Sequence, residues 1–184
     1  MLENLISCQR CALHLGQAPL LDEPKQGAVM VVGLSAKRIC TASEIPLDNH
    51  TKSGHLILSM EEIAAQYGLE VYRSNLVKCP PLDKDLKLRY PTQVEIRCCF
   101  KNMLCEIDAL QPRITVLLGK LVQSAFEEEL NLEFGSVKDC QFPFQKKLGR
   151  YYVASYHPSY VMRSTFRKEQ YLQNFSGLLR TCLE

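Results

Sequence analysis

The chain has no apolar run approaching the ~18 residues of a bilayer-spanning helix, so a helical membrane protein is excluded. Nor does charge of one sign dominate. Lys and Arg number 22 against 20 Asp and Glu, a formal net charge of +2. That excludes a wholesale basic tail for nucleic acid, though not a local basic patch. No internal repeat, low-complexity tract or Gly/Ser linker is present, and collagen, coiled coil and disordered tail drop out with them. The opening Met1-Leu2-Glu3-Asn4 has no basic region ahead of an apolar stretch. The expectation is therefore a cytoplasmic protein without a secretory leader. What is there is ordinary: 184 residues, 46% hydrophobic and 23% charged. This length fits one domain spanning 1–184, since a domain of this size buries roughly 70% of its unfolded surface without staples.

Cysteine is the exception, with nine residues: Cys8, Cys11, Cys40, Cys79, Cys98, Cys99, Cys105, Cys140 and Cys182. An odd count without an export signal argues for reduced thiols over a disulfide scaffold. Cys8 and Cys11 form C-x2-C, which lets two thiolates reach one metal from a tight turn. Cys79 follows a strand, and Cys98 and Cys99 open a helix. Two close and two distant thiolates make a set of four, suited to an iron–sulfur cluster or a structural zinc. Taken alone, the spacing also fits buried or solvated thiols of a cysteine-rich chain. Cys105 falls on a core-facing helical position, and Cys40, Cys140 and Cys182 have no partner at ligand spacing.

Short apolar runs bounded by Gly or Pro read as strands over 28–33, 70–77, 114–119 and 151–156. Such runs suit a parallel sheet covered on both faces. Helix-length amphipathic segments over 56–67, 92–110, 120–130 and 168–183 lie between and after them. Thr92 with Glu95 has the spacing of a capping box. The alternation predicts a three-layer α/β/α sandwich around a mostly parallel four-stranded sheet. Ligands in such folds sit at the carboxyl ends of the strands, here Gly33 onward, Asn75 to Cys79, Gly119 and His157.

Several segments, taken in order, resemble the family 4 uracil-DNA glycosylases, the iron–sulfur branch of that superfamily. They are Cys8-Gln-Arg-Cys11, Ser74-Asn75-Leu76-Val77-Lys78-Cys79-Pro80-Pro81, Arg89-Tyr90-Pro91, Glu95-Ile96-Arg97-Cys98-Cys99, the strand over 112–119, and Tyr156-His157-Pro158-Ser159 through Arg163. The resemblance covers nearly the whole chain. It implies a [4Fe-4S] cluster on Cys8, Cys11, Cys79 and Cys99, with Cys99 preferred over Cys98 because the family's cysteine comes four after the Glu. Such a cluster would tie the N-terminal segment to the core. Residues 82–88 are extra in this chain and read as a tolerated surface insertion.

The resemblance also implies a pocket for a uracil swung out of the base stack. Asn75 stands where the family reads the uracil edge, and an amide offers a donor and an acceptor side by side. His157 stands where the family hydrogen-bonds the uracil carbonyl as negative charge develops. Bland readings are that Asn75 caps a strand end and that His157 packs in a loop. The family's Gly-Glu-Ala-Pro-Gly is not kept. Leu34 occupies the acidic position, with Ala36 and Lys37 after it. Counting back from Ser53-Gly54, the stacking Phe of the family's Pro-Phe-x-Gly falls at Asn49. A leucine cannot orient water, and an asparagine has no aromatic face. Asp48, Glu44 and His50 lie in the same loop as substitutes.

Arg163, Arg167 and Lys168 after the His-Pro-Ser motif, with Lys37, Arg38 and Lys52 in the altered loop, form a candidate basic rim for phosphates. The resulting expectation is a DNA-associated iron–sulfur protein with lost or strongly reduced glycosylase activity. It would bind DNA and a protein partner in a repair or replication assembly. The rivals are an active glycosylase with a substitute carboxylate, and an interaction module that binds no DNA.

Overall fold

The computed structural model describes residues 2–41 and 43–184, apart from the side chains of Glu3 and Lys52. Lys52, counted above among the loop cations, thus has its side chain outside the described atoms. Five strands form one sheet: β1 (Val29–Ser35), β2 (Val71–Val77), β3 (Ile114–Leu118), β4 (Phe144–Lys147) and β5 (Arg150–Ser155), in the order β2-β1-β3-β5-β4. The first four neighbours in that order pair in parallel, and β4 joins antiparallel at the edge. The expected parallel strands are present, and the fifth strand corrects the expected count of four. The edge strand Phe144-Gln-Lys-Lys has no apolar run to announce it. Its residues alternate between exposed and half-buried, and its lysines discourage further pairing. Leu148 and Gly149, both at positive φ, form the two-residue hairpin turn between β4 and β5.

Helices cover both faces. They are α1 (Glu3–Ile6), α2 (Lys52–Ala65), α3 (Gln93–Leu110), α4 (Lys120–Leu130), α5 (Pro158–Val161) and α6 (Thr165–Leu183). Strand β1 shows why three layers form. Its side chains alternate, so Met30 and Val32 enter one core with Phe100, Met103 and Phe126 of α3 and α4. Val29 and Val31 enter the other core with Leu56, Met60 and Phe175 of α2 and α6. Period-two alternation in a central strand thus feeds two apolar layers, each large buried side chain contributing ~1.5–3 kcal/mol. Caps set the helix starts. The capping box of Thr92 and Glu95 is formed. Thr51 accepts from Gly54 and Ser164 from Arg167, so α2 and α6 begin earlier than their apolar periodicity indicates. Among the described residues, no helix is long and apolar enough to cross a membrane.

A buried ion pair and its hydrogen-bond partners lie inside the first core. Lys78 and Glu106 pair with side chains 2% and 0% exposed. Tyr72 Oη and Ser74 Oγ each donate to the Glu106 carboxylate at 2.8 Å. Lys78 Nζ also donates to Ser74 Oγ and to the Asn75 carbonyl, both at 2.7 Å. Burial and the Glu106 charge together push the Tyr72 phenol well above its ordinary range. Removing one member strands a charge in the core. We expect Glu106→Leu to cost ~3–5 kcal/mol, read by denaturant unfolding, with Lys78→Met restoring much of it in the double variant.

Candidate functional site

The carboxyl ends of β1, β2 and β3 and the turn after β5 open into one cavity of about 390 Å³. Asn75 of β2 lines it and is 3% exposed. Gly33 pairs with Asn75 across the sheet. A Cβ at Gly33 would stand 2.6 Å from Asn75 Oδ1 and 3.1 Å from Leu47 Cδ2. A bare backbone at Gly33 is what lets the amide and the loop wall meet.

His157 lines the same cavity and N-caps α5. Its Nδ1 accepts the Ser159 N–H at 3.2 Å and lies 2.8 Å from Ser159 Oγ. Surrounding protein disfavours its charged form and lowers its pKa by desolvation. A neutral ring whose Nδ1 accepts carries its proton on Nε2, which is then free to donate to a carbonyl oxygen. Gly119, at φ 91°, permits this packing, because a Cβ there would lie 3.2 Å from His157 Cβ.

The loop between β1 and α2 supplies the remaining wall. Leu34 lines the cavity, as expected. Asn49 does not; it is exposed, and Leu47 faces the cavity instead. The reason is local. Asp48 Oδ1 accepts from His50 N at 2.9 Å, and the Asp48 carbonyl accepts from Thr51 N at 3.0 Å. That turn carries Asn49 and His50 outward, so counting back from Gly54 misplaces the wall by two residues. Leu47 sits at φ 53°, a strained conformation for a leucine. Arg73 holds it there, donating to the Leu47 carbonyl at 2.9 Å while gripping Glu61 at 2.7 and 2.8 Å. Nothing in the motif pattern marks Arg73. Of the loop's acidic and histidine candidates, Asp48 alone lines the cavity. The His50 N–H holds its carboxyl below the ordinary range, and Lys37 adds to this. Glu44 instead binds the Cys40 and Thr41 N–H groups at 3.0 and 3.1 Å and Lys37 at 3.1 Å.

The insertion lies at the surface as expected, exposed over residues 84–88. An antiparallel bridge between Leu82 and Leu88 folds it back, and Leu88, Arg89 and Tyr90 reach the cavity. Arg89 anchors it with a two-pronged contact to Glu95 at 2.9 and 2.6 Å. The Arg89 guanidinium is the main cause holding the Glu95 carboxyl down at about 2. A depressed carboxyl stabilises the fold above its unfolded value and loses that contribution as pH falls toward the folded one. The gap between the native protein and Glu95→Gln is therefore expected to be about 1 kcal/mol at pH 7, given the solvent around Arg89. Thermal melts should show it closing between pH 4.5 and about 2. A gap independent of pH would refute the pairing.

Cys8, Cys11, Cys79 and Cys99 line a second, small recess under the N-terminal segment. Cys98 is half-buried and outside that lining. Burial, with the neighbouring thiols adding, pushes Cys79 up to about 12. Among the described residues no three His, Cys, Asp or Glu side chains gather about a point as one metal ion requires. The four thiols nonetheless share the lining of one recess. Asn102, which sequence reasoning missed, sits between them. Its Nδ2 donates to Cys8 Sγ at 3.1 Å and lies 3.9 Å from Cys99 Sγ, while its Oδ1 accepts from Arg10 Nε at 3.2 Å. The Lys78 N–H donates to Cys99 Sγ at 3.4 Å, so the buried Lys78 touches both this recess and the Asn75 backbone. Cys140 and Cys182 are buried and Cys40 is exposed. Cys105 is exposed too, contrary to its expected core position, because the buried stripe of α3 runs through Asn102, Met103, Glu106 and Ile107.

Of the expected phosphate contacts, Arg163 and Arg167 flank the Tyr160 ring, with guanidinium carbons 6.0 and 4.3 Å from its centroid. Lys168 follows on α6, half-buried. Arg38 is exposed, and Lys37 lines the cavity while paired with Glu44.

A family model described as the Uracil DNA glycosylase superfamily matches residues 10–179. The chain belongs to that superfamily, whose α/β fold is the one described above. Among its relatives are Type-4 uracil-DNA glycosylases. The one from Archaeoglobus fulgidus is 24% identical over 195 residues, covering 99% of this chain and 92% of the relative. The one from Thermotoga maritima is 26% identical over 170 residues, covering 88% and 81%.

Proposed function

We propose that this protein binds DNA and takes an extruded uracil or similar base into the cavity between Asn75 and His157. It excises that base slowly or not at all. Its role is binding, as an adaptor with a protein partner in repair or replication. The observation carrying this reading is the composition of one cavity. The amide and the neutral imidazole suited to a uracil edge are there, and Leu34 stands where the family's acid belongs. Binding groups without a water-orienting group favour capture over hydrolysis. Phosphates would be met by Arg163, Arg167, Lys168, Lys37 and Arg38. Charge reversal of Arg163 and Arg167 should lower affinity for any oligonucleotide and flatten its salt dependence; unchanged affinity would sink the DNA-contact claim.

Cys8, Cys11, Cys79 and Cys99 would hold a [4Fe-4S] cluster, in keeping with the Type-4 relatives and the four-thiol recess. Its contribution is structural, pinning the N-terminal segment to β2 and α3. Protein purified without oxygen should be brown and iron-loaded; colourless protein with stoichiometric zinc would refute the assignment.

A second reading is favoured by Asp48, an ionised carboxylate on the cavity wall. In that reading the protein is an active glycosylase in which Asp48 orients water in place of the missing acid. Single-turnover excision separates the two. Base release by the native protein that disappears in Asp48→Asn supports the second.

A further inference from the structure

We propose that Tyr90, two residues beyond the insertion, supplies the aromatic face that stacks on the base in the cavity. This rests on the base-binding reading above and adds a base-stacking residue to it. The wall beside Asn75 and Gly33 is Leu47, which has no π-face. Among the described residues lining the cavity, Tyr90 carries the only phenyl-type ring; the one other aromatic side chain is the His157 imidazole, which is assigned to the carbonyl. Tyr90 is 78% exposed, while its backbone is held on both sides. Arg89 N donates to the Pro81 carbonyl at 2.9 Å, and Arg89 Nη1 donates to the Tyr90 carbonyl at 3.0 Å. Thr92 N donates to Glu95 at 2.7 Å within the capping box. A free ring on a fixed backbone at the mouth of a polar-floored cavity is the arrangement a stacking platform needs. Leu88, exposed and on the same wall, extends the apolar face.

The test compares fluorescence anisotropy titrations of single-stranded oligonucleotides carrying either one uracil or one abasic site at the same position. Stacking on an aromatic side chain is sequence-tolerant but requires a base. Tyr90→Ala is expected to weaken binding of the uracil strand roughly five- to a hundredfold and to leave the abasic strand unchanged. Tyr90→Phe should retain the uracil preference. Melting curves should coincide, since the ring is exposed. Equal loss on both strands, or no loss on either, would overturn the proposal. Gly33→Ala, which crowds the Asn75 amide, is measured alongside. If Gly33→Ala abolishes the uracil preference and Tyr90→Ala does not, Tyr90 alone is wrong. If the native protein shows no uracil preference, the base-binding reading fails and takes the Tyr90 proposal with it.

Discussion

Replacing Cys99 by Ser should strip iron from anaerobically purified protein and lower its melting temperature by roughly 8–16 °C. That range corresponds to a loss of ~4 kcal/mol in a chain of this length. The argument starts from chain connectivity. From Gln17 on, the segment before β1 is tied to the body by bonds such as Leu20 N to the Lys78 carbonyl and Arg73 N to Asp22, whereas its start is held by side chains around the cysteine recess. Leu13 packs in the first core, and Arg10 reaches Asn102. Cys99 is buried on α3, and Cys79 directly follows β2. A cluster bridging all four therefore staples three separated stretches of chain, and its binding free energy becomes folding free energy. The loss should be local first. Limited proteolysis should cut near residues 8–20 in Cys99→Ser while the sheet survives. Cys98→Ser, outside the recess, should retain both iron and melting temperature. A Cys99→Ser protein that keeps its iron and colour would show that Cys98 is the ligand or that no cluster is built there.

The second large effect is a gain. Leu34→Glu should raise single-turnover uracil excision by about 10²–10³-fold over the native protein, the usual worth of one preorganised catalytic group. The position is right for it: Leu34 is near the end of β1, directly after Gly33, on the cavity wall with Asn75 and His157. The imidazole has Nε2 free to donate where charge would develop, so the missing element is a group to place water. Leu34→Gln, which has no charge, should show little of the gain. If Leu34→Glu binds the uracil strand normally and remains inert, the absent acid is not what limits the reaction.

Much of this architecture is legible from the sequence because its physics is local and apolar. The runs at Val29–Val32 and Ile114–Leu118 are buried on both faces, and nothing but a central strand accommodates them. Thr92 and Glu95 announce α3 through hydrogen bonds only three residues apart. The edge strand at Phe144 is not legible, since alternation over four residues with two lysines resembles a loop. The site divides the same way. Asn75, His157, Leu34 and the four recess cysteines are picked out by the ordered resemblance, and the element pattern adds that the first three lie toward the carboxyl ends of strands. Asn49 was misplaced because the Asp48 turn, a side chain bonding its own following backbone, diverts two residues outward. Arg73 and Asn102 were missed for one reason. Each acts on a partner far along the chain, and sequence order carries no record of that proximity.

The most direct test of the central claim is single-turnover excision. Native, iron-loaded protein is held in excess over single- and double-stranded oligonucleotides with one uracil, and binding is followed in the same samples. The account predicts uracil-dependent binding with base release at least ~10²-fold slower than in Leu34→Glu. Rapid release of uracil by the native protein would contradict it, and would make Asp48 the residue on which the chemistry turns.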